Sequence, residues 1–339
     1  MGKFIDGLLP WVIFPSLAVA GFYCIIYQTE VNGLGAALKE HCPATIEDSF
    51  PFRLTYSGVD GLDSFLCVLA ATFHSAFTPT SLQFLAYFLT QATPVIVFIY
   101  LDSARRRSHF SLRFPVIFVS LMQLVSFGAT FSFYWLPFIT TGAAKVAGSK
   151  STVISKADAE AIAFGNIVGI ALPTVGMLVL HNPYMTVIWQ FVPVLASVAT
   201  LIYLTFRSPK NHPQSGFKDI RNNYVIVIIV NIVTHLALVG PKLADVDALK
   251  AFFLPSLSIN TSNASVERLV LSLLQWDLVF GLGASLLGTL WFARSARQLV
   301  LLVVWNTVGT VLLGPGAVFA TIALWRESRL HPVEGKKKQ

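Results

Sequence analysis

Charged side chains are scarce in this chain. Asp, Glu, Lys and Arg make up 12% of its 339 residues, whereas hydrophobic residues make up 55% and the mean hydropathy is +0.67. A soluble globular domain carries about 25% charged residues, so this composition excludes an ordinary soluble protein. The net charge of +7 comes from Lys and Arg in short segments between apolar runs, where topology and anionic headgroups account for it. We therefore expect contacts with membrane lipids and no nucleic-acid partner.

Cysteine is also scarce. Of the three Cys, Cys24 and Cys67 lie in apolar runs and Cys42 stands alone in a polar segment, so we expect neither a disulfide nor a metal site. The chain lacks a GxGxxG motif after a strand pattern, a GxSxG motif and the Cys/His spacing of zinc sites. These absences argue against the common dinucleotide-binding, serine-hydrolase and zinc-dependent classes. No cofactor and no metal ion are expected.

Long apolar runs dominate what the sequence does contain, and about 20 apolar residues suffice for a helix to cross a bilayer. The run at residues 61–77 is short, so eight spans with one re-entrant segment is an alternative to nine. No repeat of 20 to 50 residues and no long linker divides the chain. The sequence predicts an all-α, polytopic integral membrane helical bundle with eight or nine transmembrane helices and a single domain, residues 1–339. The nine predicted spans are residues 7–27, 61–77, 81–101, 114–140, 159–180, 184–206, 223–241, 269–292 and 297–324.

The distribution of Lys and Arg indicates the orientation of this nine-span bundle only weakly. Residues 105–113 and the C-terminal tail lie on one side of the membrane, and the basic segments 145–156 and 207–221 lie on the other. Charge counting therefore leaves the sidedness open.

The C-terminal sequence offers a second indication of sidedness. Lys336-Lys337-Lys338-Gln339 fits a dilysine address for retrieval to the endoplasmic reticulum, which would place the tail in the cytosol. That choice leaves the glycosylation sequons at Asn260 and Asn263 cytosolic and unused. A solvated basic tail without an address function is the alternative interpretation.

One carboxylate, Asp277, lies inside an apolar run that is long enough to cross the membrane, residues 269–292. An unpaired charge at membrane depth costs at least about 2.5–3.5 kcal/mol, so this Asp is paired, neutral or facing a cavity. Small residues follow it at helical spacing and would let neighbouring helices approach, so this face is expected to point into the bundle. In apolar surroundings Asp277 would stay protonated and able to donate a proton. A structural hydrogen bond across helices is the alternative. The small residues are Gly281, Ala284, Ser285 and Gly288.

Other polar residues inside apolar runs form inward-facing stripes at helical spacing. Asn231 and His235 are four residues apart, and Asp63 and His74 are eleven apart, close to three turns. We expect Asp63 and His235 to reach the same cavity as Asp277. For each His, a hydrogen bond to a carbonyl group is the alternative.

Two stretches carry a resemblance to a known family: residues 55–79, TYSGVDGLDSFLCVLAATFHSAFTP, and residues 127–138, FGATFSFYWLPF. They resemble the fungal membrane-bound terpene cyclases of meroterpenoid pathways, of the type found in ascofuranone and macrophorin biosynthesis. Members of that family cyclise a farnesyl chain attached to an aromatic or polyketide-derived head, after protonating an epoxide or a terminal olefin. The resemblance implies that reaction here, with a lipophilic prenylated substrate.

The absence of two motifs of other terpene enzymes is consistent with this reaction. The chain has no DDxxD or NDxxD run to hold magnesium on a diphosphate, and Asp245-Val246-Asp247 is not the DxDD acid of soluble protonating cyclases. A diphosphate-ionising cyclase and an intramembrane prenyltransferase are therefore disfavoured, which leaves a metal-free acid.

Individual residues have expected roles in this reaction. Asp277 is expected to donate the initiating proton, and either Asp63 or His235 to remove the final one. Aromatic rings are expected to shield the cation, and further polar side chains to contact the substrate. These substrate-binding residues are Trp276, Tyr134, Trp135, Asn231 and His74.

Two other functions remain open at this point. A proton-coupled small-molecule transporter would also place Asp and His within spans, although no inverted halves are recognisable. A non-catalytic membrane scaffold or receptor would retain Asp277 for structure alone. The expected location is a membrane, namely the endoplasmic reticulum, and the oligomeric state is left open.

Overall fold

The computed structural model describes residues 4–43, 50–105, 109–149, 151–256 and 265–331. Within these residues the regular structure is helical, apart from one isolated bridge between Ser155 and Ser215, and the predicted all-helical membrane bundle is confirmed. The first seven helices are α1 Asp6–Val31, α2 Leu34–Glu40, α3 Asp60–Ser75, α4 Pro79–Ser103, α5 Pro115–Leu124, α6 Phe127–Thr140 and α7 Lys156–Leu180. The other seven are α8 Pro183–Gln190, α9 Val192–Phe206, α10 Phe217–Lys242, α11 Val246–Phe253, α12 Val266–Phe292, α13 Ala296–Leu313 and α14 Pro315–Leu330.

Six of these helices are long and apolar enough to cross a membrane, namely α1, α4, α7, α10, α12 and α13. Helices α8 and α9 together make a seventh candidate, bent by 64°. The predicted count of eight or nine spans is therefore not confirmed. Helices α4 and α12 form the centre of the bundle, because 78% and 61% of their apolar windows are buried, against 11% for α13.

The interval 114–140, predicted as one span, is instead an antiparallel helical hairpin. Helices α5 and α6 have 10 and 14 residues, so each is shorter than the roughly 30 Å hydrocarbon core. The rings of Phe118 and Tyr134, sixteen positions apart, lie 5.0 Å from each other, which a continuous helix does not permit. The chain reverses at Val125 and Ser126, where Ser126 is extended and caps α6. We call residues 125–128 the hairpin tip.

A second reversal breaks the predicted span at 297–324. Gly314 adopts a φ of 90°, which favours glycine, and Pro315 begins α14. Trp305 of α13 donates a hydrogen bond from Nε1 to Oγ1 of Thr321 on α14, at 2.8 Å, so these two helices also run antiparallel. The predicted ninth span therefore turns back on itself.

With these two reversals, most of the described basic residues lie on one face of the bundle, which we call the basic face. Lys145 pairs with Asp6, Arg326 pairs with Asp102 at 2.8 Å, and His331 hydrogen-bonds Ser215 at 3.0 Å, so these helix ends lie together. Twelve described Lys and Arg lie at this face, against five at the opposite face. The twelve are Arg105, Arg113, Lys145, Lys156, Arg207, Lys210, Lys218, Arg221, Arg294, Arg297, Arg326 and Arg329; the five are Lys39, Arg53, Lys242, Lys250 and Arg268.

This excess overturns the prediction of a weak charge bias. The described residues of the segments 105–113, 145–156 and 207–221 lie on the same side, because the hairpin of α5 and α6 does not cross the membrane. The positive-inside rule therefore predicts that the basic face is cytosolic. The dilysine tail and the sequons at Asn260 and Asn263 lie outside the described residues.

The opposite face carries a disulfide, so the expectation of no disulfide is wrong. Cys42 and Cys67 are bonded, with their Cα atoms 5.9 Å apart, whereas Cys24 is free. Disulfides persist in oxidising compartments, so a bond on this face agrees with a cytosolic basic face. The bond fastens the segment after α2 to the middle of α3.

Candidate active site

A cavity of about 210 Å³ lies inside the bundle, between α1, α3, α4, α7, α8, α12 and the hairpin tip. Its walls are mainly aliphatic and aromatic. The aromatic walls come from Phe73, Phe88, Phe127 and Trp189. A site with these walls suits a hydrocarbon chain, and aromatic ring faces attract a cation held within about 6 Å.

Asp277 lines this cavity and is 7% exposed. Its carboxylate accepts hydrogen bonds from the backbone N–H groups of Gly128, at 2.5 Å, and Phe127, at 3.2 Å. These are among the first N–H groups of α6, which have no partner within their own helix. Asp277 therefore lies at the N-terminus of α6, where the helix dipole favours a negative charge.

Ser126 completes this helix start. Its hydroxyl accepts a hydrogen bond from Ala129 N, at 2.9 Å, and lies beside the Asp277 carboxylate. The sequence folds this way because Ser is a favoured N-cap residue, and its hydroxyl satisfies one of the unpaired donors. The hairpin tip and Asp277 thus form one hydrogen-bonded unit at the cavity wall.

The small residues of α12 let the hairpin approach closely. Gly281, Ala284, Ser285 and Gly288 are all buried, so the predicted inward-facing small face is confirmed. A Cβ atom at Gly281 would overlap the Phe127 ring, and one at Gly288 would overlap the Trp135 ring. Glycine is therefore required at both positions for this packing.

Asp63 lies outside the described cavity lining, at the start of α3. Its carboxylate accepts hydrogen bonds from Ser57 N and Ser57 Oγ, both at 2.6 Å, and from Gly58 N at 3.1 Å. The hydrogen bond from the Ser57 side chain lowers the pKa of Asp63. This geometry fixes the turn before α3, and the catalytic role of Asp63 stays a prediction.

His235 and Asn231 lie together elsewhere, where α10 packs on α4 and the second hairpin. The His235 ring bonds the Tyr87 hydroxyl at 3.0 Å and the Val311 carbonyl at 3.1 Å. Asn231 donates to Val227 O at 2.8 Å. Neither residue is among the described residues that line the cavity with Asp277, so the structure does not bring His235 and Asp277 together.

His74 lies on the helix that lines the cavity, but beside the lining residues. Its Nε2 hydrogen-bonds Thr186 Oγ1 at 3.0 Å, and its ring packs between Phe52 and Phe77. Burial lowers the pKa of His74 to about 4, so the ring is neutral near pH 7. Trp276 is not among the described residues that line the cavity, and it donates from Nε1 to Ser256 O at 3.3 Å.

Tyr134 and Trp135 are fully buried towards the basic face rather than in the cavity lining. Trp135 packs on Phe98 and donates from Nε1 to Ser285 Oγ at 3.3 Å. The guanidinium group of Arg326 lies 5.1 to 5.3 Å from the ring centres of Phe98, Phe138 and Phe292. The cation beside this aromatic block is therefore a protein side chain.

Sequence reasoning missed the hairpin tip, Gln123 and Trp189 as cavity residues. The tip had a signal, because Ser126, Phe127 and Gly128 place an N-cap residue and a glycine within an apolar run. Gln123 precedes that break by three residues. No comparable signal marked Trp189.

Comparisons with known proteins find a matching family model and a similar enzyme. The family model described as the CtvD domain matches residues 10–330. The chain is 26% identical over 293 residues to the terpene cyclase ascI of Acremonium egyptiacum. The aligned region covers 78% of this chain and 75% of that protein. No solved structure matches the chain. The similarity to a cyclase does not favour the proton-coupled transporter.

Proposed function

Because the chain belongs to the CtvD-domain family, we propose that it is a membrane-bound terpene cyclase that initiates cyclisation by protonating an epoxide or terminal olefin. The resemblance to the fungal membrane-bound cyclases is confirmed at the level of the family. The proposed substrate is a lipophilic molecule with a farnesyl chain on an aromatic or polyketide-derived head. The proposed location is the membrane of the endoplasmic reticulum, where membrane lipids surround the bundle.

One observation carries this proposal. Among the described residues that line the apolar cavity, Asp277 is the only one with a side chain that titrates between pH 3 and 11. A positioned acid accounts for roughly 10²–10⁴-fold of rate enhancement. Binding and folding of the prenyl chain against the cavity walls supply the remainder.

The hydrogen bonds at the hairpin tip support Asp277 as the acid. When Asp277 gives its proton to the substrate, a carboxylate remains in apolar surroundings. The N–H groups of Phe127 and Gly128 already point at its oxygens and stabilise that charge without rearrangement. The carboxylate is then available to accept the proton that the product cation loses, so the reaction is an isomerisation.

The cavity walls contribute to the later steps. The rings of Phe73, Phe88 and Trp189 line the space in which the cation would travel. Their faces stabilise positive charge without reacting as nucleophiles. An apolar lining also keeps water away from the cation, which water would otherwise capture as an alcohol.

The test compares wild-type protein with Asp277→Asn in yeast microsomes that receive farnesylated phenols, both epoxidised and not. Mass and retention time identify a product that is isomeric with the substrate. Asp277→Asn is expected to lose the isomer, because an amide cannot donate the proton.

A matched control separates chemistry from folding. Ser126→Ala removes the other side-chain acceptor at the α6 start, which costs about 1 kcal/mol, but keeps the carboxyl group. With the two variants present in the membrane at equal levels, Ser126→Ala should still give the isomer, at a reduced rate because the Ser126 hydroxyl lies beside the Asp277 carboxylate. An isomer that survives Asp277→Asn would remove Asp277 as the acid.

A further inference from the structure

Most polar side chains in the cavity lining have already used their hydrogen-bond donors. Thr72, Thr93 and Thr174 each donate from the hydroxyl to the backbone carbonyl four residues earlier, at 2.7 to 2.8 Å. Trp189 donates from Nε1 to Thr174 Oγ1 at 3.0 Å. These groups therefore have no free donor for a ligand.

Gln123, unlike these residues, has a side-chain donor without an acceptor among the described residues. It lies in the last turn of α5, just before the hairpin tip, and lines the cavity that contains Asp277. Its amide nitrogen Nε2 is buried and has no hydrogen-bond partner among the described residues. An unpaired amide N–H in an apolar site is costly, so an acceptor in the cavity would stabilise it.

Other buried amides do not share this position. Asn166 and Gln190 also have buried amide atoms without partners among the described residues, but neither lines the cavity. Gln91 does have partners, because its Nε2 donates to Asn231 O at 3.1 Å and its Oε1 accepts from Gly316 N at 2.8 Å. Among the described residues that line the cavity, Gln123 is thus the one with an unpaired amide donor for a ligand.

We propose that the Gln123 amide donates a hydrogen bond to an oxygen atom of the substrate bound beside Asp277. This inference rests on the proposed cyclase function and specifies its substrate, because an epoxide offers an oxygen acceptor and a terminal olefin does not. Asp277 supplies the proton and Gln123 holds the oxygen that receives it. No bond to Gln123 forms or breaks, so the overall reaction remains an isomerisation.

The experiment compares one farnesylated phenol that carries a terminal epoxide with the same compound that carries the olefin. Gln123→Met keeps the length of the side chain but removes the amide. We expect kcat/KM for the epoxide to fall by roughly tenfold to hundredfold, while any turnover of the olefin stays the same.

Gln190→Met serves as the matched control, because it removes a buried, unpartnered amide that does not line the cavity. It should leave the ratio of epoxide to olefin turnover unchanged. An unchanged ratio in Gln123→Met, or equal losses with both compounds, would overturn the assignment.

A second readout separates this inference from the cyclase proposal. If wild-type protein makes no isomer from either compound, the proposed function fails for this substrate class. The thermal stabilisation of purified protein by each compound then tests Gln123 alone. A greater stabilisation by the epoxide, lost in Gln123→Met but kept in Gln190→Met, supports the assignment, and equal stabilisation by the two compounds refutes it.

Discussion

Replacement of Gly281 by Ala tests the packing that holds the hairpin tip against α12. The added Cβ would overlap the Phe127 ring, and carbon atoms pack no closer than about 3.5 Å, so the ring must move by roughly an ångström or more. Such overpacking in a tight interior costs about 1–3 kcal/mol. Phe127 also lines the cavity, and its N–H donates to Asp277. A displacement of that size at a catalytic group can lower the rate on the order of 100-fold.

Gly283→Ala is the matched control on the same helix. A Cβ at Gly283 meets no atom within 4 Å, so this variant gains the helix propensity of alanine, about 1 kcal/mol, without a clash. Both variants share that gain, and the difference between them isolates the steric cost. Thermal unfolding in detergent should show Gly281→Ala melting below Gly283→Ala, and the microsome assay should show lower product yield. Equal melting temperatures and equal yields would contradict the packing described for Phe127.

Three further predictions concern orientation, the disulfide and the buried ion pairs. In a Cys24→Ser background, a membrane-impermeant maleimide should label Lys210→Cys in sealed microsomes. It should label Lys250→Cys only after detergent is added, because the two positions lie at opposite faces of the bundle. The reverse pattern would refute a cytosolic basic face. The double variant Cys42→Ser/Cys67→Ser should lose about 3–4 kcal/mol of unfolding free energy, because the disulfide closes a loop with a sequence separation of 25. An unchanged melting temperature would argue against the disulfide. Asp102→Asn should lower the free energy of unfolding by about 3–5 kcal/mol, because it leaves the buried Arg105 and Arg326 without that partner. The control Asp247→Asn, at an exposed ion pair, should lower it by less than about 1 kcal/mol. Similar melting temperatures for the two variants would show that the buried network contributes little.

The helices themselves were largely predictable from the sequence. Apolar runs at 81–101, 159–180, 223–241 and 269–292 each correspond to a long helix, because hydropathy over about 20 residues reports burial in a bilayer. Whether an apolar run crosses the membrane or turns back within it was not predictable in the same way. Both halves of 114–140 are equally apolar, and hydropathy does not distinguish a crossing from a reversal.

The charge bias was underestimated for the same reason. Once 114–140 was counted as a crossing, every later segment changed sides, and the basic residues near 105 were separated from those near 145 and 207. The reversal at Ser126 returns them to one face, and the reversal at Gly314 brings Arg326 and Arg329 back to the same face. The disulfide was missed because Cys67 lies in an apolar helix, and spacing alone does not show that this helix meets the segment that carries Cys42.

The candidate site was predictable only where one residue broke a strong rule. Asp277 is conspicuous because an acid inside a span is expensive. His235, Asn231 and Asp63 break similar rules, but none of them is among the described residues that line the cavity with Asp277. The cavity itself depends on how distant helices meet, which periodicity along one helix does not encode.

The position of Asp277 at a re-entrant tip links the fold to the proposed chemistry. Backbone N–H groups at membrane depth need acceptors, because no water is present to satisfy them, and the start of α6 exposes several. Asp277 and Ser126 satisfy those of Phe127, Gly128 and Ala129. A carboxylate accepts such bonds more strongly than a neutral carboxyl group does. Under the proposed reaction, the proton transfer that creates the substrate cation therefore also strengthens the hairpin tip, so the fold offsets part of the cost of separating the two charges.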